Sequence, residues 1–210
     1  TLFHQTRLDP NNFLGGIYET LIDISLDSGR GGVTLKNNNL ITDQLSWGIT
    51  ATKHANGRDW WIVAMRDHSN VAHTLLYSIN GVQSLFTQSL SFNIPSLGFG
   101  NASQICFSGN GDKFAYTIYD NLSPANSYVI LSDFDRCNGG FSNSIVIPVS
   151  IGEYFWGTSF APSGEYFYVN TSNYIYQINT ISLQLDTVAV YDGFSFPIPQ
   201  AATTFFNQYL

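Results

Sequence analysis

Three short segments hold most of the residues whose chemistry invites a functional reading: KHANGRDWWIV (Lys53 to Val63), CFSGNGDKFAY (Cys106 to Tyr116) and SFAPSGEYFYV (Ser159 to Val169). Each carries an acid after a Gly-containing turn, Asp59, Asp112 and Glu165 in order. Carboxylates there could form a pair for acid–base work or an oxygen ligand for calcium. The same residue type also fixes turns by accepting backbone N–H bonds. An active site is not expected in every copy of a repeat, so fixing the turn is the expected role of all three. His54, Phe107 and Phe160 match at intervals of 53 residues each. His54 is therefore expected to be a packed, hydrogen-bonded residue and not a base.

The remaining candidates are weaker. His68 and His73 flank a loop beside Asp67, but zinc needs three or four converging ligands, and this trio lacks motif spacing. Solvated loop polar groups are expected there. Asp133 and Asp135 occupy alternate positions and share a strand face. Without the twelve-residue calcium loop they read as strand-end caps and turn ligands. Cys106 and Cys137 should be separated by an intervening strand. Their spacing of about 9.6 Å exceeds the roughly 6.8 Å reach of a disulfide, which favours two free thiols. No Gly-x-Ser-x-Gly elbow occurs, and Gly29-Arg30-Gly31-Gly32 lacks the Lys-Ser/Thr of a phosphate loop. No catalytic, cofactor-binding or metal-binding residue is assigned. Exposed aromatics can stack on sugar rings, but Trp47, Trp60, Trp61 and Trp156 are expected mostly in the core. Adjacent Trp60 and Trp61 must point to opposite faces of one strand, and both can be buried if both faces are covered. Asn101, Asn121 and Asn170 begin N-glycosylation patterns, which arise readily by chance in an Asn- and Ser-rich chain.

The elements that must position these residues follow from the repeat. An apolar strand precedes each turn (Trp47 to Lys53, Ser103 to Phe107, Trp156 to Phe160) and a second follows it (Trp60 to Met65, Lys113 to Tyr119, Glu165 to Asn170). Third strands are expected at Thr74 to Asn80, Tyr128 to Asp135 and Tyr174 to Asn179. Fourth strands are expected at Gln83 to Phe92, Ser144 to Ser150 and Leu185 to Tyr191. Helical periodicity is nearly absent. Four antiparallel strands per unit of about 40 to 50 residues predict an all-β chain of β-propeller blades. The expected blades are 46–98, 99–151 and 152–195, with partial blades at 13–45 and 196–210. In the first, Ile17 to Ser25 and Gly32 to Lys36 read as third and fourth strands. In the last, Thr203 to Leu210 reads as a first strand. Three whole and two partial blades predict a piece of a longer polypeptide, because a propeller closes by joining its end blades.

Composition narrows the partners. The net charge is −7, with eight Lys and Arg, and only 11% of residues are charged. No basic cluster is present to neutralise phosphates or anionic lipid, so nucleic-acid binding is not expected. No apolar run is long enough for a membrane-spanning helix, and the N-terminus lacks the pattern of a signal peptide. The surface must be built from Asn, Ser, Thr, Gln and Tyr, which suits secreted β-proteins.

The segments LIDISLDSGRGGVTLKNNNL (Leu21 to Leu40), TATKHANGRDWWIV (Thr50 to Val63) and DFDRCNGGFSNSIVI (Asp133 to Ile147) resemble a group of large secreted proteins of Bacteroidetes-type bacteria. That group carries an N-terminal propeller of WD-repeat-like or YVTN-like blades, and many members end in a gliding-motility-type or type IX secretion sorting domain. The resemblance implies an exported or cell-surface protein and transfers no catalytic residues. The expected function is a non-catalytic extracellular module for protein or glycan binding or surface assembly. The alternatives are a glycosidase or lactonase with its site in the central channel, and a purely structural module of a larger surface or filament-forming protein.

Overall fold

The computed structural model describes residues 1–6, 15–67, 69–92, 104–120, 123–149, 152, 153 and 155–193. Among them lie four antiparallel sheets whose strand order follows the sequence. The first contains β1 (Leu2–Thr6), β2 (Gly16–Asp23) and β3 (Gly32–Thr42). The second contains β4 (Leu45–Lys53), β5 (Trp60–Arg66), β6 (Val71–Ser78) and β7 (Gly81–Ser89). The third contains β8 (Cys106–Phe107), β9 (Lys113–Asp120), β10 (Ser123–Asp135) and β11 (Gly140–Val149). The fourth contains β12 (Thr158–Phe160), β13 (Tyr166–Asn170), β14 (Tyr174–Asn179) and β15 (Leu185–Val190). A 3-10 turn at Asp27–Gly29 is the one helical element among the described residues. The chain is all-β, and its four-stranded sheets are propeller blades.

Burial explains the residue choice. Trp61 to Met65 of β5 are all buried. Trp61, Val63 and Met65 pack toward Phe114, Tyr116 and Ile118 of the third sheet. Ile62 and Ala64 pack toward Ile17 and Ile41 of the first. A strand covered on both faces needs a continuous apolar run, and WWIVAMR supplies it. The outermost strands do not: β7 alternates between half-buried and exposed positions, and β15 is almost wholly exposed. A third core joins Ala115, Val129 and Leu131 to Phe167, Val169 and Ile178. The first strands β4, β8 and β12 touch in succession along the inner side of the fan.

The pairing corrects the repeat register. Lys53 pairs with Trp60, Phe107 with Phe114, and Phe160 with Phe167. The turn hydrogen bonds agree: the N–H groups of His54, Ser108 and Ala161 donate to the carbonyls of Asp59, Lys113 and Tyr166. Lys53, not His54, is thus equivalent to Phe107 and Phe160, and Asp59 stands where Lys113 and Tyr166 stand. A one-residue slip would turn every side chain to the opposite face, so the packed faces decide the register and the recurring acid does not.

The third strands end alike. Ser78, Asp135 and Asn179 are the last residues of β6, β10 and β14, and each side chain accepts the N–H two residues on (from Asn80 at 3.0 Å, Cys137 at 2.7 Å and Ile181 at 2.9 Å). Asp135 is therefore a turn ligand, as its place at a strand end predicts. Element bounds shift elsewhere. The first sheet has an additional strand, β1, paired from Leu2 opposite Thr20 to Thr6 opposite Gly16. β2 stops at Asp23 and β3 runs on to Thr42, because the 3-10 turn and a series of bulges separate them. β8 and β12 are shorter than expected, and β10 starts earlier, at Ser123. The strand expected at Thr203 to Leu210 and the partial blade 196–210 lie outside the described residues.

Candidate functional site

Antiparallel order puts the turns between first and second strands, and between third and fourth strands, at one end of the fan. There the sheets interlock. Arg136, just after β10, reaches back to the second sheet. Its Nε donates to Lys53 O at 2.8 Å, Nη1 to Asn110 O at 2.9 Å and Nη2 to His54 O at 3.5 Å. Its own carbonyl accepts Ala55 N–H at 3.0 Å and the Trp61 indole N–H at 2.8 Å. His54 Nδ1 accepts Asn56 N–H at 3.0 Å, so its Nε2–H donates to Cys137 O, also at 3.0 Å. His54 is a hydrogen-bonded turn residue with both ring nitrogens engaged.

The acids of the repeat act indirectly. Asn56 Oδ1 accepts the N–H groups of Arg58 and Asp59, and the Asp59 carboxylate holds the Asn56 amide at 2.7 Å and the Arg58 guanidinium at 3.0 Å. Asp112 accepts Ser108 Oγ–H at 2.8 Å, while Ser108 Oγ accepts Lys113 N–H. In the fourth sheet Ser163 Oγ accepts Glu165 N–H. The expectation that each carboxylate takes backbone N–H groups is corrected. The Asn and Ser side chains do so, and Asp59 and Asp112 orient them.

Between β4 and β8 at this end lies a groove of about 570 Å³, lined among others by Thr50, Thr52, Lys53, Trp60, Ser108 and Arg136. Trp60 is 41% exposed and Trp61 is 3% exposed. The expectation that both are covered fails at Trp60: Phe114 and Phe167, its equivalents, are buried against a preceding sheet, whereas Trp60 stands open beside the groove. Lys53 Nζ sits 5.6 Å from the Trp60 ring centroid. Among the described residues neither Lys53 nor Arg136 makes an ion pair with a carboxylate. Cys106 also borders the groove. Burial pushes its thiol up to about 11, outweighing the bonds to Thr158 and Phe160, so it stays protonated and weakly nucleophilic at neutral pH. Both Cys106 and Cys137 are free thiols.

A second polar cluster occupies the opposite end. His73 is buried within β6, not solvated in a loop as expected, and its Nε2–H donates to Asp43 Oδ2 at 2.7 Å. Arg66 Nε donates to the same oxygen at 2.6 Å, and Gln44 Nε2 to Asp67 at 3.3 Å. Asp43 sits between strands β3 and β4, 30 residues from His73, so the loop reading had no local signal for this pair. His68 lies outside the described residues, and no group of three or more His, Cys, Asp or Glu able to hold a metal occurs among those described. Burial raises the Asp43 pKa, but the Arg66, His73 and Gln44 hydrogen bonds outweigh it and hold the carboxyl below its ordinary 3.8. A carboxyl depressed in the folded state stabilises above its unfolded pKa and loses that contribution as pH falls through the folded value. Stability measured by urea unfolding is expected to drop from pH 5 toward pH 3, and Asp43→Asn to flatten this drop. An equally steep drop in the variant would locate the acid sensitivity elsewhere.

Trp156 is half exposed, and its Nε1–H donates to Ser172 Oγ at 3.2 Å. Asn170 is buried and its amide oxygen accepts Gly157 N–H at 2.6 Å, which closes that glycosylation pattern to a glycan. Asn101 and Asn121, and the side chain of Trp47, lie outside the described residues.

Neither a family model nor a curated protein sequence matches the chain. Solved structures do. A 6-phosphogluconolactonase candidate from Bacteroides fragilis is similar over 91% of this chain and 56% of its own, with TM-score 0.55 and 13% identity. The periplasmic gluconolactonase of Pseudomonas aeruginosa covers 85% of this chain and 48% of its own, with TM-score 0.50 and 12% identity. The Dos1 propeller covers 92% of this chain and 48% of its own, with TM-score 0.50 and 13% identity. At such identities the likeness defines the class, a β-propeller. The chain spans about half the length of these structures.

Proposed function

We propose that this chain belongs to a non-catalytic, extracellular β-propeller module that binds a glycan. The groove beside Trp60 carries the reading: an open indole, the half-buried Thr50 and two cations that pair with no carboxylate among the described residues form a surface suited to a sugar ring. Aromatic faces supply apolar area at low entropic cost while polar neighbours set orientation. The low share of charged residues and the resemblance to secreted propeller proteins support an extracellular setting. Among the described residues no helix is long and apolar enough to cross a membrane. A protein ligand or an assembly role would use the same interlocked end. The test is a glycan array probed with wild type and with Trp60→Ala. Binding lost in the variant supports the reading, and no binding to any glycan overturns it.

A hydrolase of the lactonase or glycosidase kind is the second reading. One observation favours it, the Asp43–His73 hydrogen bond at the end opposite the groove. Two facts weigh against acid–base work there: the His73 ring is buried, and Asp43 is already shared with Arg66. Turnover of gluconolactone or aryl glycosides that is lost in His73→Gln, with the fold intact by circular dichroism, would establish this reading instead.

A further inference from the structure

The cations of the groove say more about its ligand. Only eight residues of this chain are Lys or Arg, against fifteen Asp and Glu, yet two of the eight converge here. Ordinarily such side chains on an acidic protein pair with carboxylates. Lys53 instead lies over the Trp60 ring, and Arg136 is clamped by three backbone carbonyls. A guanidinium offers five N–H donors, so these three bonds leave one on each terminal nitrogen. The clamp also fixes the guanidinium before any ligand arrives, which lowers the entropy lost on binding. Thr52 and Arg136 lie close over the turn between β8 and β9, where only a glycine fits: a Cβ on Gly111 would fall 1.9 Å from Thr52 Oγ1 and 3.3 Å from Arg136 Cδ.

Resting on the glycan-binding reading above, we infer that the groove takes an acidic saccharide. A ring carboxylate meets the free N–H groups of Arg136 and the Lys53 ammonium. The C–H face of a neighbouring ring stacks on Trp60, and a sugar hydroxyl meets Thr50 at the groove wall. The volume is within the range of small-ligand sites, and a charged hydrogen bond from a preorganised Arg is among the strong ones. Neutral sugars retain only the stacking and hydroxyl contacts.

Isothermal titration of the wild-type chain with digalacturonate, and with the neutral disaccharide galactobiose as control, tests this. Digalacturonate is expected to bind at least tenfold more tightly than galactobiose and to weaken as salt rises from 50 to 300 mM. Lys53→Gln, at an exposed position, is expected to weaken digalacturonate about five- to tenfold and to leave galactobiose unchanged. Trp60→Ala is expected to weaken both. Arg136→Lys keeps the charge but loses the fork and the clamp, and is read alongside its melting curve so that unfolding is not mistaken for lost affinity. Equal affinity for the two sugars overturns the acidic-ligand inference and leaves the glycan reading standing. Digalacturonate binding that is unchanged in both Lys53→Gln and Trp60→Ala overturns the placement in this groove. No binding of either sugar overturns the inference, and the array then decides the broader reading separately.

Discussion

Trp61→Ala is expected to destabilise the chain by about 3–5 kcal/mol, the usual cost of deleting a large aromatic from a packed core. For a domain of this size that is a fall of roughly 6–20 °C in melting temperature. The indole is 3% exposed and lies between the second and third sheets. It meets Phe86 and Phe134 edge-on at centroid distances of 6.2 and 6.3 Å, and Gly139 stands so close that a Cβ there would come within 2.8 Å of its ring. Its N–H also donates to Arg136 O, a carbonyl that keeps Ala55 N–H as a second donor. The loss is therefore mainly packing and cavity, not an orphaned polar group. The neighbouring Trp60→Ala is expected to cost under about 1 kcal/mol, since it removes an exposed ring and one cation–π contact. Thermal unfolding followed by circular dichroism compares the two. Similar costs for both would show that the two rings do not face the burial described here.

The second large effect separates backbone strain from close contact. Gly57, Gly111 and Gly164 occupy the same place in the three turns, with φ of +73°, +72° and +74°. Their surroundings differ. A Cβ on Gly57 would meet nothing within 4 Å, and on Gly164 only Ser108 Cβ at 3.7 Å. On Gly111 it would fall 1.9 Å from Thr52 Oγ1 and 3.3 Å from Arg136 Cδ. Alanine at 57 or 164 is expected to cost about 1–2 kcal/mol, the penalty for a left-handed L-residue. Gly111→Ala adds overpacking of about 1–3 kcal/mol. Thr52→Ala combined with Gly111→Ala is expected to recover part of that added cost, visible as a coupling energy in a double-mutant cycle. Three equal losses without coupling would mean that the turn of the third sheet does not press on Thr52.

Equating Asp59 with Asp112 and Glu165 relied on residue type in a turn, where Gly, Asn, Ser and Asp serve interchangeably. The true equivalence of Asp59, Lys113 and Tyr166 is invisible to chemistry and is set by strand pairing. Placing both tryptophans of β5 under cover was right for Trp61 alone, because coverage depends on what the adjacent sheet brings to that height. The segment LFHQT gives no strand signal of its own, being five residues long without apolar–polar alternation. His73 looked like part of a loop, yet β6 begins at Val71 and draws it inside.

Local chemistry alone determined the all-β class, the four-strand rhythm of the blades, the left-handed glycines of the turns and the ends of two third strands at Asp135 and Asn179. All of these depend on residues within a few positions of one another. Only the tertiary structure decided the repeat register, the exposure of Trp60, the pairing of Asp43 with His73 and the clamp on Arg136. The contacts of His73 and Arg136 join residues 26 to 83 positions apart, and the register and the exposure of Trp60 depend on separate sheets. Their partners are chosen by how the faces of successive blades pack, which no short stretch of the chain contains.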